Sequence, residues 1–228
     1  MDIRQSPFPL GWFTSATHDE FWGGEGTYLR IPYDALPSIE GQRFDGTFAW
    51  LPPLREADLT LDFDESRPEN LARLARLFQE TDRLGLTVPE AFVSFVSRPE
   101  LHCRVPICTE CYLEIPERVI ESMPGTNGYL LRFMNDQQLM LLWYLYLRPD
   151  GEHGIVVGNP QWREEPQGST IEGMYEVKEQ LLCAPDFESF VYRFWIENSV
   201  WYALSEGRPR TPAQQAYLDG ARRALATR

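Results

Sequence analysis

The chain has 228 residues, enough for one well-buried α+β domain with additions, and carries a formal net charge of -13. A balance of 34 Asp and Glu against 21 Lys and Arg argues against a general nucleic-acid surface, because binding by counterion release needs clustered cations. No apolar run reaches the length of a membrane-spanning helix, the opening MDIRQSPFPLGWF lacks a secretory-signal pattern, and four cysteines make no disulfide framework in a chain of this size; a reduced, cytoplasmic protein is expected.

Residues 1–50 are rich in Gly, Pro and aromatic rings (Trp12, Phe13, Phe21, Trp22, Tyr28, Tyr33, Phe44, Phe48, Trp50) and show no helical periodicity. Leaving so many rings in water is costly, so short strands and ordered loops wrapped on the main domain are predicted. Leu59, Leu61 and Phe63 alternate with Thr60 and Asp62, the pattern of a half-buried strand with its acidic residues outward. Ser66 and Glu69 form a capping-box pair ahead of a helical face made by Leu71, Leu74, Ala75, Leu77 and Phe78, which ends near Gly85. A second pair, Thr87 and Glu90, opens a helix carrying Phe92, Phe95 and Val96, and Pro99 stops it.

Residues 100–128 are punctuated by Pro106, Pro116, Pro124 and Gly125, so they read as irregular, with a short strand at Tyr112 to Ile115. Tyr129 to Phe133 resumes as a strand, Asn135 to Gln138 make a polar hairpin, and Leu139 to Leu147 (LMLLWYLYL) is a buried strand that reverses at Pro149, Asp150 and Gly151 into His153 to Val157. Gly158 to Gly173 reads as a loop. Asp186 then caps a helix reaching Leu204, with Phe187, Phe190, Val191, Phe194, Trp195, Trp201 and Tyr202 on helical spacing and Trp195 expected opposite Trp143. Thr211, Pro212 and Gln214 start a last helix with Ala213, Ala216, Tyr217 and Ala224 on its small face. The predicted class is α+β: a mainly antiparallel sheet, a helix pair before it, and an aromatic-faced closing helix packed on it. It forms one domain over residues 1–228, with 1–65 as an N-terminal extension and 205–228 as a C-terminal helical extension.

The sharpest chemical signal is His102-Cys103 followed by Cys108-Thr109-Glu110-Cys111. Thiolates at the Cys108 and Cys111 spacing can chelate zinc, with Cys103 or His102 as a third ligand, but the fourth has no nearby source. Cys103, Cys108 and Cys111 are therefore read as buried or half-buried free thiols, and neither a metal nor a cofactor is expected. His18, His102 and His153 sit in no nucleophile or metalloprotease spacing, and Gly23 to Gly26 lacks the strand, helix and Lys context of a phosphate loop, so no catalytic residue is assigned. Asp58, Asp62 and Asp64 make a row of carboxylates for a basic partner, or a solvated strand edge. Asp136 and Gln137 form a candidate recognition tip, and Glu197 with Asn198 reads as capping a neighbouring loop.

The order LTVPEAFVSF, strands, LLWYLYL, turn, HGIVVG and LCAPDFESFVYRFWIEN resembles the SUKH superfamily. The matching positions are Val88, Pro89, Phe92 and Phe95; Trp143 to Leu147 and Ile155 to Val157; and Ala184, Phe187, Phe190 and Val191. The likeness spans Arg67 to Leu204, leaving the first 60 residues and the last helix outside it. It implies a non-enzymatic protein-binding domain, in first place an immunity protein that neutralises a toxin, for which an acidic surface would suit a basic toxin domain. A regulatory or structural interaction module without a toxin target is the alternative, and a zinc-dependent or other enzyme the second alternative. The expected partner is a protein, not nucleic acid or membrane.

Overall fold

LWYLYL lacks polar alternation because both faces of its strand are covered. A computed structural model describes residues 3–23, 26–56, 58–63, 70–116, 118–162 and 175–226, without the side chains of residues 4, 71, 159–162 and 175–179. Its main sheet is a meander of β5 (Tyr129–Asp136), β6 (Leu142–Leu147), β7 (His153–Trp162) and β8 (Tyr175–Ala184), with β3 (Cys111–Leu113) and β4 (Ile120–Glu121) both pairing with β5. All its pairings are antiparallel. Two short strands, β1 (Trp12–Thr14) and β2 (Leu29–Ile31), form a separate ribbon.

Leu131, Phe133, Trp143, Leu145, Ile155 and Val157 face the main core. Leu130, Tyr144, Tyr146, Val156 and Leu182 make a smaller core on the opposite face, under Phe8, which stands edge-on to Tyr146 at 4.9 Å. The Tyr146 ring lies so close to the chain at Gly128 that a Cβ there would clash with it. Its hydroxyl donates to the Thr126 carbonyl.

The sheet is larger than the sequence suggests. Where a loop was expected from residue 158, β7 runs on to Trp162 and the chain returns as β8; residues 163–173 lie outside the described residues. Gly158, Asn159 and Pro160 look like loop punctuation, but Pro160 sits at a register shift, where a missing N–H disturbs the ladder least.

Before the sheet come α1 (Asn70–Arg83), α2 (Glu90–Ser97) and α3 (Pro99–His102). The Ser66 and Glu69 pair lies outside the described residues. Gly85, at φ +67°, follows α1 as expected. The Thr87 and Glu90 box does not form: the N-cap is Pro89, with no side-chain capping bond, which leaves Thr87 two residues too early. Pro99 both ends α2 and provides the first residue of α3, a position where its missing N–H is no loss.

The closing helix α4 (Phe187–Ser205) starts at Asp186, whose Oδ1 accepts from Ser189 N at 2.8 Å. It is buried over 14 of its 19 residues, so it has a second covered side in addition to the predicted aromatic face. Phe187 and Phe190 pack on Phe133 of the sheet, and Phe187 also meets Phe92 and Phe95 of α2. The other side meets residues 12–50. Trp12, Phe21, Trp22, Ile31 and Phe48 belong to the same core as the sheet. Trp143 packs against Phe194, and half-buried Trp195 turns to Trp50 and Tyr192 instead of facing Trp143. The last helix, α5 (Pro212–Ala226), has the predicted box, with Thr211 N donating to Gln214 Oε1 (2.8 Å) and Gln214 N to Thr211 Oγ1 (3.2 Å).

Polar side chains of α4 fasten the N-terminal layer. Glu188 accepts from Gly46 N (2.6 Å), Phe48 N (3.2 Å) and Trp50 Nε1 (2.9 Å). Glu197 accepts from Trp12 Nε1 (2.8 Å), Trp22 Nε1 (3.3 Å) and the Tyr217 hydroxyl (2.9 Å). Arg193 donates to Pro37 O (3.1 Å) and Tyr217 Oη (2.9 Å), and its guanidinium lies 5.9 Å from the Trp12 ring centre. Burial pushes the Glu197 carboxyl above its ordinary range, against the pull of its donors and of Arg193.

Two stability measurements follow. Trp143→Ala should cost about 3–5 kcal/mol in urea denaturation, and Trp195→Ala about half as much because less of its ring is buried; equal losses would place Trp195 in the core. Glu197→Gln should cost about 1–3 kcal/mol although nearly isosteric, since an amide turns a donor group toward three converging N–H and O–H groups. An unchanged denaturation midpoint in that variant would mean that the acceptor role has been misassigned.

Candidate functional site

An extended segment, residues 59–63, borders the short strand β3. Leu61 N donates to Val105 O (2.8 Å), Ile107 N to Leu59 O (2.9 Å) and Leu113 N to Asp62 O (2.8 Å). Only single bridges result, Thr60 to Pro106 and Phe63 to Leu113, so the predicted half-buried strand is an interrupted edge. Leu61 points inward at 3% exposure, whereas Leu59 is 58% exposed. The expected alternation breaks because the segment changes partners, from residues 105–107 to β3, between these positions.

The turn after β5 borders the start of β3, where Gln137 N donates to Glu110 O at 2.9 Å. Asp136 is buried and spends its Oδ1 on Gln138 N (3.0 Å) and Met140 N (2.8 Å), holding the turn that carries Leu139 at φ +56°. Gln137 is exposed, and Met140 is 49% exposed. Asp62 thus borders β3 at Leu113, and Gln137 borders its start beside exposed Glu110, while the exposed apolar Leu59 lies against Ile107 and Met140 lies in the turn after β5.

The remaining candidates behave differently. Asp58 is held by Arg208 (Nη2 to Oδ1, 2.5 Å), which also pairs with Glu206 (2.6 Å) and lies over the Tyr202 ring. It is an internal tether and not an open carboxylate. Asp64 lies outside the described residues. The exposure of Leu59, Met140 and Glu110 was not legible in the sequence. Alternation assigned Leu59 to the core, Met140 was absorbed into the apolar run, and Glu110 was read only as a spacer between cysteines.

All four thiols are free. Cys108 donates to Ser15 O (3.1 Å), Cys183 to Ile155 O (3.3 Å), and Cys111 meets Thr109 Oγ1 (3.4 Å). The set Cys103, Cys108 and Cys111 does not assemble. Cys103, just past the end of α3, faces segment 59–63, while Cys108 turns to Ser15 in the N-terminal layer. The donors that converge are Asp62, His102 and Cys103. Cys103 Sγ lies 3.4 Å from Asp62 Oδ2 and 3.6 Å from His102 Nδ1, which is 3.5 Å from Asp62 Oδ1.

Burial, reinforced by the Asp62 charge, pushes the Cys103 thiol up to about 11. Burial pushes Cys111 up to about 12, raises Cys108 and Cys183, and lowers His102. An activated thiol needs the opposite shift, and a relay needs one ring nitrogen on the thiol and the other on the carboxylate. Here Nδ1 faces thiol, carboxylate and the Leu61 carbonyl together, while Nε2 is buried without a hydrogen-bond partner.

A cavity of about 740 Å³ lies between residues 34–42, α4 and α5, with Pro37, Ile39, Tyr192, Tyr217 and Gly220 in its wall. The wall holds neither His nor Cys, and Tyr217 is committed to Arg193 and Glu197. No helix among the described residues is long and apolar enough to cross a membrane. No family model, curated protein or solved structure matches the chain.

Thiol labelling checks this electrostatic picture. In chelator-treated native protein at pH 8, Cys103 should react at least about 10-fold more slowly than a free thiol of ordinary acidity, and still be the first of the four to react. Reaction at the free-thiol rate would mean that burial and Asp62 do not hold the Cys103 thiol up, and reaction faster than that would mark an activated nucleophile.

Proposed function

We propose that this chain is a non-catalytic protein-binding domain whose partner is basic, in first place an immunity protein that neutralises a toxin. The observation that carries the binding reading is the edge around β3. Asp62 and Glu110 are exposed on the segments that form this edge, and Leu59 and Met140 are exposed on the chain flanking it, in a chain of net charge -13. Exposed carboxylates draw a cationic partner in and orient it, and the apolar side chains supply area to desolvate once it arrives. The toxin as target is supported by the resemblance of residues 67–204 to SUKH proteins.

The groups that a catalytic reading would recruit are engaged within the fold. Glu197 accepts from three side chains, Asp58 is tied to Arg208, and burial raises the thiols away from nucleophilic form. These engagements favour binding over turnover.

The test is co-expression with a toxin gene adjacent in the native genome, followed by binding kinetics. Growth should be rescued, and the association rate should fall about 3–10-fold from low to physiological salt, where fields reach only about 8 Å. Asp62→Asn combined with Glu110→Gln should slow association about 2–5-fold and leave dissociation nearly unchanged. Rescue with unaltered kinetics in that variant would move the binding face elsewhere. Absence of both rescue and a micromolar complex would favour the interaction module without a toxin target.

A further inference from the structure

Asp62, His102 and Cys103 bring an oxygen, a nitrogen and a sulfur to one point from segments 40 residues apart. The separations are 3.5 Å between Nδ1 and Oδ1, 3.6 Å between Sγ and Nδ1, and 3.4 Å between Sγ and Oδ2. A tetrahedral zinc bound at about 2.05 Å to nitrogen, about 2.1 Å to oxygen and about 2.3 Å to sulfur has ligand-to-ligand edges of roughly 3.4 Å (N to O), 3.55 Å (N to S) and 3.6 Å (O to S). The observed edges agree to within about 0.2 Å of these. The carboxylate turns one oxygen to the nitrogen and the other to the sulfur, so a small rotation presents a single oxygen to both.

From this geometry we propose that Asp62, His102 and Cys103 form a binding site for a zinc-type divalent cation, fastening segment 59–63 to α3. The mixed imidazole, thiolate and carboxylate set suits a borderline ion better than a hard one such as Mg²⁺. Three protein ligands leave a fourth position, for which the Leu61 carbonyl, 3.3 Å from Nδ1, and solvent beside half-exposed Asp62 are the oxygen sources.

The surroundings of His102 point the same way. Its ring is buried, Nε2 has no hydrogen-bond partner, and Phe63 and Phe95 stand T-shaped against it at 5.2 and 6.1 Å. Among aromatic rings an N–H is better placed than a bare lone pair. Nδ1 faces the Leu61 carbonyl and the Asp62 carboxylate, two acceptors that its own proton satisfies in the free protein; when Nδ1 binds the cation, that proton is displaced and the ring carries its proton on Nε2, against the aromatic rings. Glu100 adds negative potential, shared with its ion-pair partner Arg98. On binding, Cys103 releases its thiol proton to solvent and the thiolate forms the metal–sulfur bond.

The test uses the full chain after chelator treatment, titrated with Co²⁺ as a spectroscopic probe and then with Zn²⁺. One Co²⁺ per chain should bind with a thiolate-to-metal charge-transfer band, and Zn²⁺ should displace it. Cys103→Ser should abolish the band, and Asp62→Asn should weaken binding more than about 10-fold, since a lost ligand costs at least as much as a lost outer partner. Cys108→Ser should leave both unchanged. Circular dichroism confirms that each variant is folded, and the surface change Asp62→Asn keeps the test decisive if Cys103→Ser is unstable. The absence of a charge-transfer band, or a band lost in Cys108→Ser but kept in Cys103→Ser, overturns the site. Since the probe is the metal alone, the outcome is independent of the partner-binding reading.

Discussion

Burial of Glu197 in the middle of α4 is the constraint on which the N-terminal half depends. A carboxylate removed from water is costly unless every lone pair finds a donor, and its donors here come from widely separated parts of the chain: Trp12, Trp22 and Tyr217. α4 therefore reaches its low-energy state only when residues 12–22 and α5 are both docked. The reverse also holds, because the indole N–H groups of Trp12 and Trp22 would be buried without acceptors if Glu197 were absent. Arg193 extends the network to the Pro37 carbonyl, and Glu188 repeats the device for residues 46–50. Rings of residues 12–50 and Tyr217 of α5 thus share one core and one hydrogen-bond network with the closing helix.

Local signals were legible where one interaction decides the structure. The Asp186 N-cap, the Thr211 and Gln214 box and the apolar run of β6 each stand on residues within a few positions of one another. Signals failed where a distant partner decides. β8 is invisible from its own residues because Glu176, Lys178 and Glu179 dilute its pattern, and it is a strand through its pairing with β7. Trp195 follows helical spacing for the aromatic face, but α4 is covered on two sides, so spacing alone could not tell which layer the ring meets. Glu197 and Asn198 were read as caps of a neighbouring loop. Asn198 does accept from Cys108 N at 2.7 Å, while Glu197 has the larger role described above.

The candidate site shows the same division. Charge and the exposed turn were readable from composition, and Asp62 and Gln137 do border one strand. The cysteine motif misled because spacing along the chain was taken as proximity in space: Cys103, Cys108 and Cys111 are close in sequence, but Cys103 joins a carboxylate 41 positions earlier. No periodicity reports such a juxtaposition. It follows from Pro99 restarting a helix at α3, which turns His102 and Cys103 toward segment 59–63.

The same helix that holds the N-terminal layer also holds the acidic edge. Tyr202 near the end of α4 donates its hydroxyl to Ile107 O (2.8 Å) and accepts from Leu59 N (3.2 Å), while Asn198 one turn earlier takes Cys108 N. Segment 59–63 and the approach to β3 are thus pinned to α4 at three backbone points, so the interrupted edge keeps one shape although it lacks a regular ladder. An edge of this kind resists adding foreign strands, because its backbone groups are partly spent and exposed Asp62 and Glu110 lie along it. In the binding function we propose, a partner meets side chains on a backbone ordered during folding, and little conformational freedom is lost on association. Single bridges, an outward Leu59 and a carboxylate beside His102 would weaken an ordinary strand; on a backbone tethered to the core, they form a preorganised surface.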